Sequence, residues 1–160
     1  MSRYVLDNAI AMAWCFSDEA TPFTENLLDR LANQIDSAVV PALWLYEVTN
    51  VSMLAVRKGR ISRPKAAKFL DDLADLPIEV EPSPAGLATV FATIPALMEQ
   101  HGLTAYDAAY LELVIRRQLP LATFDDALIK ACKALGEDSF NPRVRIGRMG
   151  FLRQTSMALC

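Results

Sequence analysis

Short apolar runs rich in β-forming residues alternate along this chain with longer segments of helical period, and that alternation restricts it to an α/β fold on a largely parallel sheet. Arg3–Leu6 reads as a first strand running into Asp7, with a short helix over residues 9–16 behind it. Thr21 has the character of an N-cap, with Pro22 at the first helical position, where its missing N–H is harmless; that helix carries Leu27, Leu28 and Leu31. Ser37–Val40 is a second strand, ended by Pro41. Residues 43–58 give the clearest amphipathic helix, with Leu43, Trp44, Val51 and Leu54 on one face and Gly59 ending it. Ser62 and Pro64 open another helix reaching Ala74, ahead of a short apolar strand at Ile78–Val80. Ser83-Pro84 starts a helix carrying Leu87, Val90, Phe91, Ile94 and Met98, with a kink expected at Pro95. Thr104 caps a helix over 105–117, Pro120–Thr123 is a further strand, and Asp126–Leu135 is the helix after it. No repeat, long linker or low-complexity segment interrupts the pattern, so the chain is expected to form one domain.

Charge and cysteine usage narrow the function classes. The net charge of -3 conceals an asymmetry: Arg143, Arg145, Arg148 and Arg153 stand in the last 18 residues without an acid, leaving 12 bases against 19 acids in residues 1–142. The overall field therefore repels nucleic acid, and binding one would need local basic patches. Cys15, Cys132 and Cys160 are widely spaced with no CxxC pair, which suggests neither a disulfide framework nor a zinc site and points to a reducing cytoplasm. The N-terminus shows no signal-peptide pattern. The longest uncharged stretch, Pro82 to Met98, holds three prolines and a glycine and is a poor membrane span. A hydrophobic fraction of 52% with mean hydropathy +0.20 is that of a globular chain, with apolar area to spare for a dense core or a partner surface.

Four acids sit where ordinary surface does not explain them. Asp7 directly follows the first strand and Asp125 closely follows the strand at Pro120–Thr123, both at the rim where open parallel sheets bind ligands. Helix capping is the plainer reading of each, since Asp is a preferred N-cap. Glu47 falls on the apolar stripe Leu43, Trp44, Val51, Leu54, where an isolated carboxylate costs several kcal/mol unless it is paired, protonated or liganding a metal; Asn50, one turn on, has the spacing to orient it. Asp107 shares a face with Tyr110, Leu111 and Val114, while Thr104-Ala105-Tyr106-Asp107 also approximates a capping box. Brought together, four carboxylates repel one another strongly unless divalent cations sit among them.

The local contexts of these acids resemble a family. Tyr4-Val5-Leu6-Asp7-Asn8 and Pro41-Ala42-Leu43-Trp44-Leu45-Tyr46-Glu47-Val48-Thr49-Asn50 resemble the first two acidic motifs of PIN-domain nucleases. Leu103-Thr104-Ala105-Tyr106-Asp107-Ala108-Ala109-Tyr110-Leu111-Glu112-Leu113 resembles the third, and Leu121-Ala122-Thr123-Phe124-Asp125 the fourth. Length and single-domain build are similar to VapC-type toxins of bacterial toxin–antitoxin pairs. The resemblance implies a PIN-like three-layer fold, a central mostly parallel sheet flanked by helices, over residues 1–136, with 137–160 an atypical basic tail packed on that domain or partly flexible. It implies a metal-dependent ribonuclease whose Mg²⁺ or Mn²⁺ is held by Asp7, Glu47, Asp107 and Asp125, with Asp126 assisting Asp125 and Thr123 as an auxiliary hydroxyl. It further implies a homodimer and an antitoxin partner seated near residues 22–33 and 43–74. Two departures stand out: Ala9 replaces the Ser or Thr many relatives carry two residues after the first acid, and Glu137-Asp138-Ser139-Phe140-Asn141-Pro142 replaces a short apolar terminal strand. Val144-Arg145-Ile146 has the composition of an edge strand.

RNA drawn to an acidic mouth needs cations nearby. Arg57, Lys58, Arg60, Arg63, Lys65 and Lys68 form an acid-free basic stretch, with Arg116-Arg117 and the arginine tail as further candidates. No Ser-His-Asp or Cys-His system is evident, and His101, before Gly102, reads as a surface residue at a helix end. Two rivals remain: a catalytically weak PIN-like binding module, and an aspartate-based phosphoryl-transfer enzyme or receiver domain. The second is disfavoured because Asp7-Asn8-Ala9 lacks the DxD pattern an aspartyl phosphatase uses.

Overall fold

The computed structural model describes residues 2–82, 86–137 and 139–140. In chain order it has β1 (Ser2–Leu6), α1 (Asn8–Cys15), α2 (Pro22–Ala32), β2 (Asp36–Pro41), α3 (Leu43–Arg57), α4 (Arg63–Ala74), β3 (Ile78–Glu81), α5 (Leu87–His101), α6 (Ala105–Arg117), β4 (Leu121–Ala122), α7 (Asp126–Leu135) and β5 (Ser139–Phe140). The strands form one sheet in the order β3-β2-β1-β4-β5, and every pairing is parallel. The expected α/β fold with a central parallel sheet flanked by helices is therefore the fold of the chain. Val144-Arg145-Ile146, the basic tail and the helix start at Ser83-Pro84 lie outside the described residues.

Topology sets where a site can form. The chain steps from β1 to β2 to β3 in one direction, then returns to lay β4 on the other side of β1. Right-handed crossovers put the helices of the first two steps on one face and those of the return on the other. The packing agrees: α1 touches α2 and α3, and α3 touches α4, whereas α6 packs on α5, α7, β1 and β2. Strand order reverses between β1 and β4, so the crevice beyond their carboxyl ends is the natural ligand position.

The strand signal is strongest where burial is two-sided. Val5, Leu6, Val39 and Val40 are all fully buried, as suits the central strands of a parallel sheet. β3 lies at an edge, with Glu79 and Val80 both exposed and with Glu79 and Glu81 meeting Arg3, Arg116 and Arg117. Charge along that edge discourages pairing with another chain. At the other edge β5 pairs Ser139 with Leu121 and Phe140 with Ala122, so a short terminal strand exists where the composition reads as loop. Two residues carry no periodicity to read; backbone pairing with β4 makes the strand.

Helix ends follow local chemistry. Thr21 and Thr24 form a reciprocal capping box ahead of Pro22. The Ser62 and Thr104 hydroxyls cap α4 and α6, and α5 continues through Pro95 to His101. One helical face needs correction. The buried stripe of α3 is Trp44, Val48, Ser52 and Ala55, while Leu54 is exposed and Glu47 stands at the stripe's border. Trp44 is buried and Leu43 and Val51 are partly buried against the core, as the spacing predicts, whereas Leu54 is not; Ser52 takes an inward position because its hydroxyl donates to the Val48 carbonyl. His101 also differs from expectation: it is partly buried, with Nε2 enclosed.

One ion pair joins three elements. Asp36, 2% exposed at the start of β2, accepts Arg30 Nε at 2.6 Å, Arg30 Nη2 at 2.8 Å and the Ser2 backbone N–H at 3.2 Å. Removing Arg30 would strand a buried carboxylate. Arg30→Ala should lose about 3 kcal/mol of unfolding free energy, the lower end for a buried pair because Arg30 is partly exposed; urea denaturation measures it.

Candidate active site

β1 delivers Asp7 and β4 delivers Thr123 side by side, because Leu6 pairs with Ala122 and the Asp7 N–H bonds the Ala122 carbonyl at 3.0 Å. Thr123, fully buried, donates its hydroxyl to Asp7 Oδ2 at 2.5 Å and accepts the Asp125 N–H at 2.9 Å. It therefore couples both strand-end acids. Asp7 also N-caps α1 through Ala9 N–H, and Asp125 N-caps α7 through Leu128 N–H at 2.8 Å. The capping reading of both acids is correct and does not exhaust them, since each carboxylate oxygen has two lone pairs.

The helices bring the other two acids. Asp107, in the first turn of α6, accepts the Thr104 hydroxyl at 2.7 Å on Oδ2, while its own N–H bonds Thr104 Oγ. Glu47 on α3 accepts the Tyr110 hydroxyl on Oε2. Asn50, the orienting residue suggested by spacing, is exposed, and the hydrogen bond to Glu47 comes from α6 instead. Asp126 is exposed in the first turn of α7. Tyr110 had been visible only as a member of the inward face. The usable signal was its hydroxyl, which must find a partner when buried.

Electrostatics link the four acids. Burial pushes the Asp7 carboxyl above the usual range, the Thr123 and Ala9 hydrogen bonds pull it back, and the charges of Asp125 and Asp107 raise it again. Burial likewise raises Glu47, opposed by the Tyr110 hydroxyl and reinforced by Asp7 and Asp107. No cation appears among the causes at either residue. The contrast with other acids is sharp: arginines hold Asp18 and Glu81 below the usual range. Among the described residues, no lysine or arginine pairs with Asp7, Glu47, Asp107 or Asp125.

An all-oxygen set left without internal cations suits a hard divalent ion. Among the described residues no three acids, histidines or cysteines close into a preformed cage. An open rim fits an ion that retains several waters and takes only one or two carboxylates directly, as Mg²⁺ does.

The basic candidates separate. Arg60 is held by Asp18 and Glu19 and lies 3.7 Å over the Phe16 ring. Arg116 and Arg117 are taken by Glu112, Glu81 and Glu79, and Lys68 by Asp72. Arg57, Lys58 and Arg63 are exposed and have no carboxylate partner among the described residues.

With this geometry in hand, the comparisons with known proteins are decisive for family. The PIN domain family model matches residues 4–134. The chain belongs to the PIN domain family. PIN domains are generally nucleases, which typically use divalent metal ions. Solved structures share the fold: PAE2754 from Pyrobaculum aerophilum, at 22% identity and TM-score 0.63, covers 86% of this chain and 83% of its own. A chain of VapBC2 from Rickettsia felis bound to a promoter DNA fragment matches at 17% identity and TM-score 0.61, over 87% of this PIN chain and 98% of that one. A chain of FitAcB from Neisseria gonorrhoeae matches at 18% and 0.61, over 89% and 99%. No curated protein sequence matches significantly. Among the described residues, no helix of this PIN domain is long and apolar enough to cross a membrane.

Raised carboxyl pKa values have a signed consequence. A proton held more tightly in the folded than in the unfolded state stabilises the fold at low pH, and that contribution is lost as pH rises from about 4 through the raised values. Asp18 and Glu81 act in the opposite sense, so the effect must be isolated at one site. Asp7→Asn removes the charge and keeps one acceptor oxygen for the Ala9 N–H that caps α1, while its amide nitrogen faces Thr123 as a donor in place of the second oxygen. Metal-free Asp7→Asn should melt above wild type at pH 7.5, by roughly 2–4 °C for each kcal/mol of relieved charge, with the gap closing towards pH 4. Differential scanning fluorimetry in EDTA reads the comparison.

Proposed function

We propose that this PIN domain hydrolyses RNA phosphodiester bonds with Mg²⁺ or Mn²⁺ at the rim formed by Asp7, Glu47, Asp107 and Asp125. The observation carrying this reading is the segregation of charge: the arginines near other acids are spent on Asp18, Glu19, Asp36, Glu79, Glu81 and Glu112, while among the described residues no lysine or arginine pairs with the four rim acids, whose mutual repulsion an external cation would relieve. When bound, the ion supplies an acidified attacking water and offsets charge on the scissile phosphate. The chain's own part is orientation. Thr123, Thr104, Tyr110 and the Leu128 N–H each hold one oxygen of a carboxylate, leaving lone pairs directed to ion or water. A rim carboxylate would accept the water's proton as the new P–O bond forms and the P–O bond to the ester oxygen breaks, and solvent water would supply the proton to the departing oxygen. Thr123 supplies a hydroxyl at Asp7 that Ala9 cannot, which supports a working site despite that departure. Asp126 stands next to Asp125 as an assisting acid.

Among the described residues of the basic stretch, Arg57, Lys58, Arg63 and Lys65 are exposed without a carboxylate partner and are the candidates to meet the RNA backbone; Arg60 is a weaker candidate because its charge is already met. Replacing Arg57 and Lys58 together by Ala should weaken RNA binding and reduce the slope of log affinity against log salt by roughly 1–2. Filter binding with an Asp7→Asn protein across a salt series checks it, and an unchanged slope would remove both residues from the RNA path.

The motif resemblance to VapC-type toxins, and a fold shared with a chain of the VapBC2 complex, support a toxin role with an antitoxin partner in the cytoplasm. The outer face of α3 carries exposed Leu45 and Tyr46, 77% exposed in the latter case, bordering a depression of about 520 Å³ with Thr49, Asn50 and Met53. Such an apolar surface is in keeping with a protein partner or homodimer. Cleavage of mixed cellular RNA tests the central claim: with Mg²⁺ or Mn²⁺ the protein should cut, and EDTA, Asp7→Asn or Asp107→Asn should each abolish cutting, a loss of at least about 10²-fold. EDTA-resistant cleavage would overturn the metal reading; a folded, metal-loaded wild type that leaves RNA intact would favour a binding-only module.

A further inference from the structure

We propose that Tyr110 is a positioning residue that sets the rim's affinity for its divalent cation by holding Glu47 in place from α6; this rests on the metal-dependent reading above. Tyr110 is 2% exposed, so its hydroxyl cannot turn to water, and it donates to Glu47 Oε2. Asp107 lies three residues earlier on the same helix, on the same face. One hydrogen bond thus joins the helices carrying two of the four acids.

The physical need is specific to Glu47. Its carboxylate stands at the tip of a side chain with three rotatable bonds, at the border of the buried face of α3, and the charges of Asp7 and Asp107 act on it. Repulsion and hydration both favour swinging it outward. The Asp residues are shorter and held by helix caps or by threonine hydroxyls; among the described residues Glu47 has one such partner, the Tyr110 hydroxyl. A hydrogen bond to one oxygen restrains the side chain before an ion arrives and leaves Oε1 to contact ion or water. Partners of this kind commonly change metal affinity by tenfold or more when removed.

Tyr110→Phe keeps the ring in the core and deletes the hydroxyl. Electron paramagnetic resonance of free Mn²⁺, titrated into metal-free protein of wild-type circular dichroism, should show binding weakened by about tenfold. Cleavage, where it survives, should recover as Mn²⁺ is raised, moving the half-saturating metal concentration upward. In a Glu47→Ala background the same change should add little, because no side chain is left for the hydroxyl to hold. A folded Tyr110→Phe protein that binds Mn²⁺ as tightly as wild type overturns the proposal while leaving the metal reading intact; wild type that binds no Mn²⁺ overturns the metal reading itself. If the Phe variant does not fold, 3-fluorotyrosine at position 110 supplies the second test. Its fluorine resonance should shift on Mg²⁺ titration, and an invariant resonance overturns the proposal.

Discussion

The Thr123 hydroxyl, fully buried between the Asp7 carboxylate and the Asp125 N–H, is the contact on which the site depends. It exists only because β4 is laid against β1 after the chain has already gone out to β3 and returned. The β1–β4 register, Leu6 opposite Ala122, then brings the residue after each strand to one point. A slip of one residue would move Thr123 to the other face of the sheet and separate the two acids. Topology, register and the first hydrogen bond of the site are thus a single constraint.

Around that contact the chain divides its charges. Arg30, Arg60, Arg116 and Arg117 each meet an acid whose work is structural: Asp36 ties β2 to α2 and the start of β1, Asp18 and Glu19 hold the turn after α1 against Arg60, and Glu79 and Glu81 charge the exposed sheet edge. The rim acids instead receive hydroxyls and backbone N–H groups, which orient a carboxylate without cancelling its charge. Neutral donors are the appropriate partners if the charge is to be used by something outside the chain. An arginine at the same place would lower the carboxyl pKa and compete with the ion for the same lone pairs.

Much of this was legible in the residues, and the failures have physical causes. The alternation of apolar strands and amphipathic helices predicts the parallel sheet because strands buried on both faces must be continuous in apolar residues. Asp7 and Asp125 are readable because strand ends at a switch in order are sites in any such sheet. On α3 hydrophobicity alone places Leu54 inward and leaves out Ser52, since a buried serine satisfied by its own helix looks polar in sequence. Glu47's partner was missed for a related reason: Asn50 is near in sequence, but Tyr110 is near in space, and only the packing of α6 against the sheet brings the two together. Arg117 looks free in sequence because its acids, Glu79 and Glu81, are more than thirty residues away on β3, whereas Arg116 also meets Glu112 one turn earlier on its own helix, a pair the spacing offers. β5 was invisible because two residues have no period.

Double duty at the rim decides how substitutions there should be interpreted. Asp125 caps α7, Asp7 caps α1, and Asp107 bonds the residue that caps α6. Truncating any of them to Ala removes a helix cap or its support, each worth about 1 kcal/mol, along with the negative charge. Loss of activity in an Ala variant therefore mixes a loosened helix start with a lost ligand. Asn retains one oxygen in nearly the same place, which can still accept the capping N–H or hydroxyl, and removes the charge along with the second acceptor. At Asp7 the two effects even have opposite signs for stability, because the charge opposes folding while the cap supports it. The isosteric amide separates them, and the argument extends to Glu47, where Gln can still accept the Tyr110 hydroxyl. An acid that both starts a helix and faces a cation is tested cleanly only by a replacement that keeps the first role.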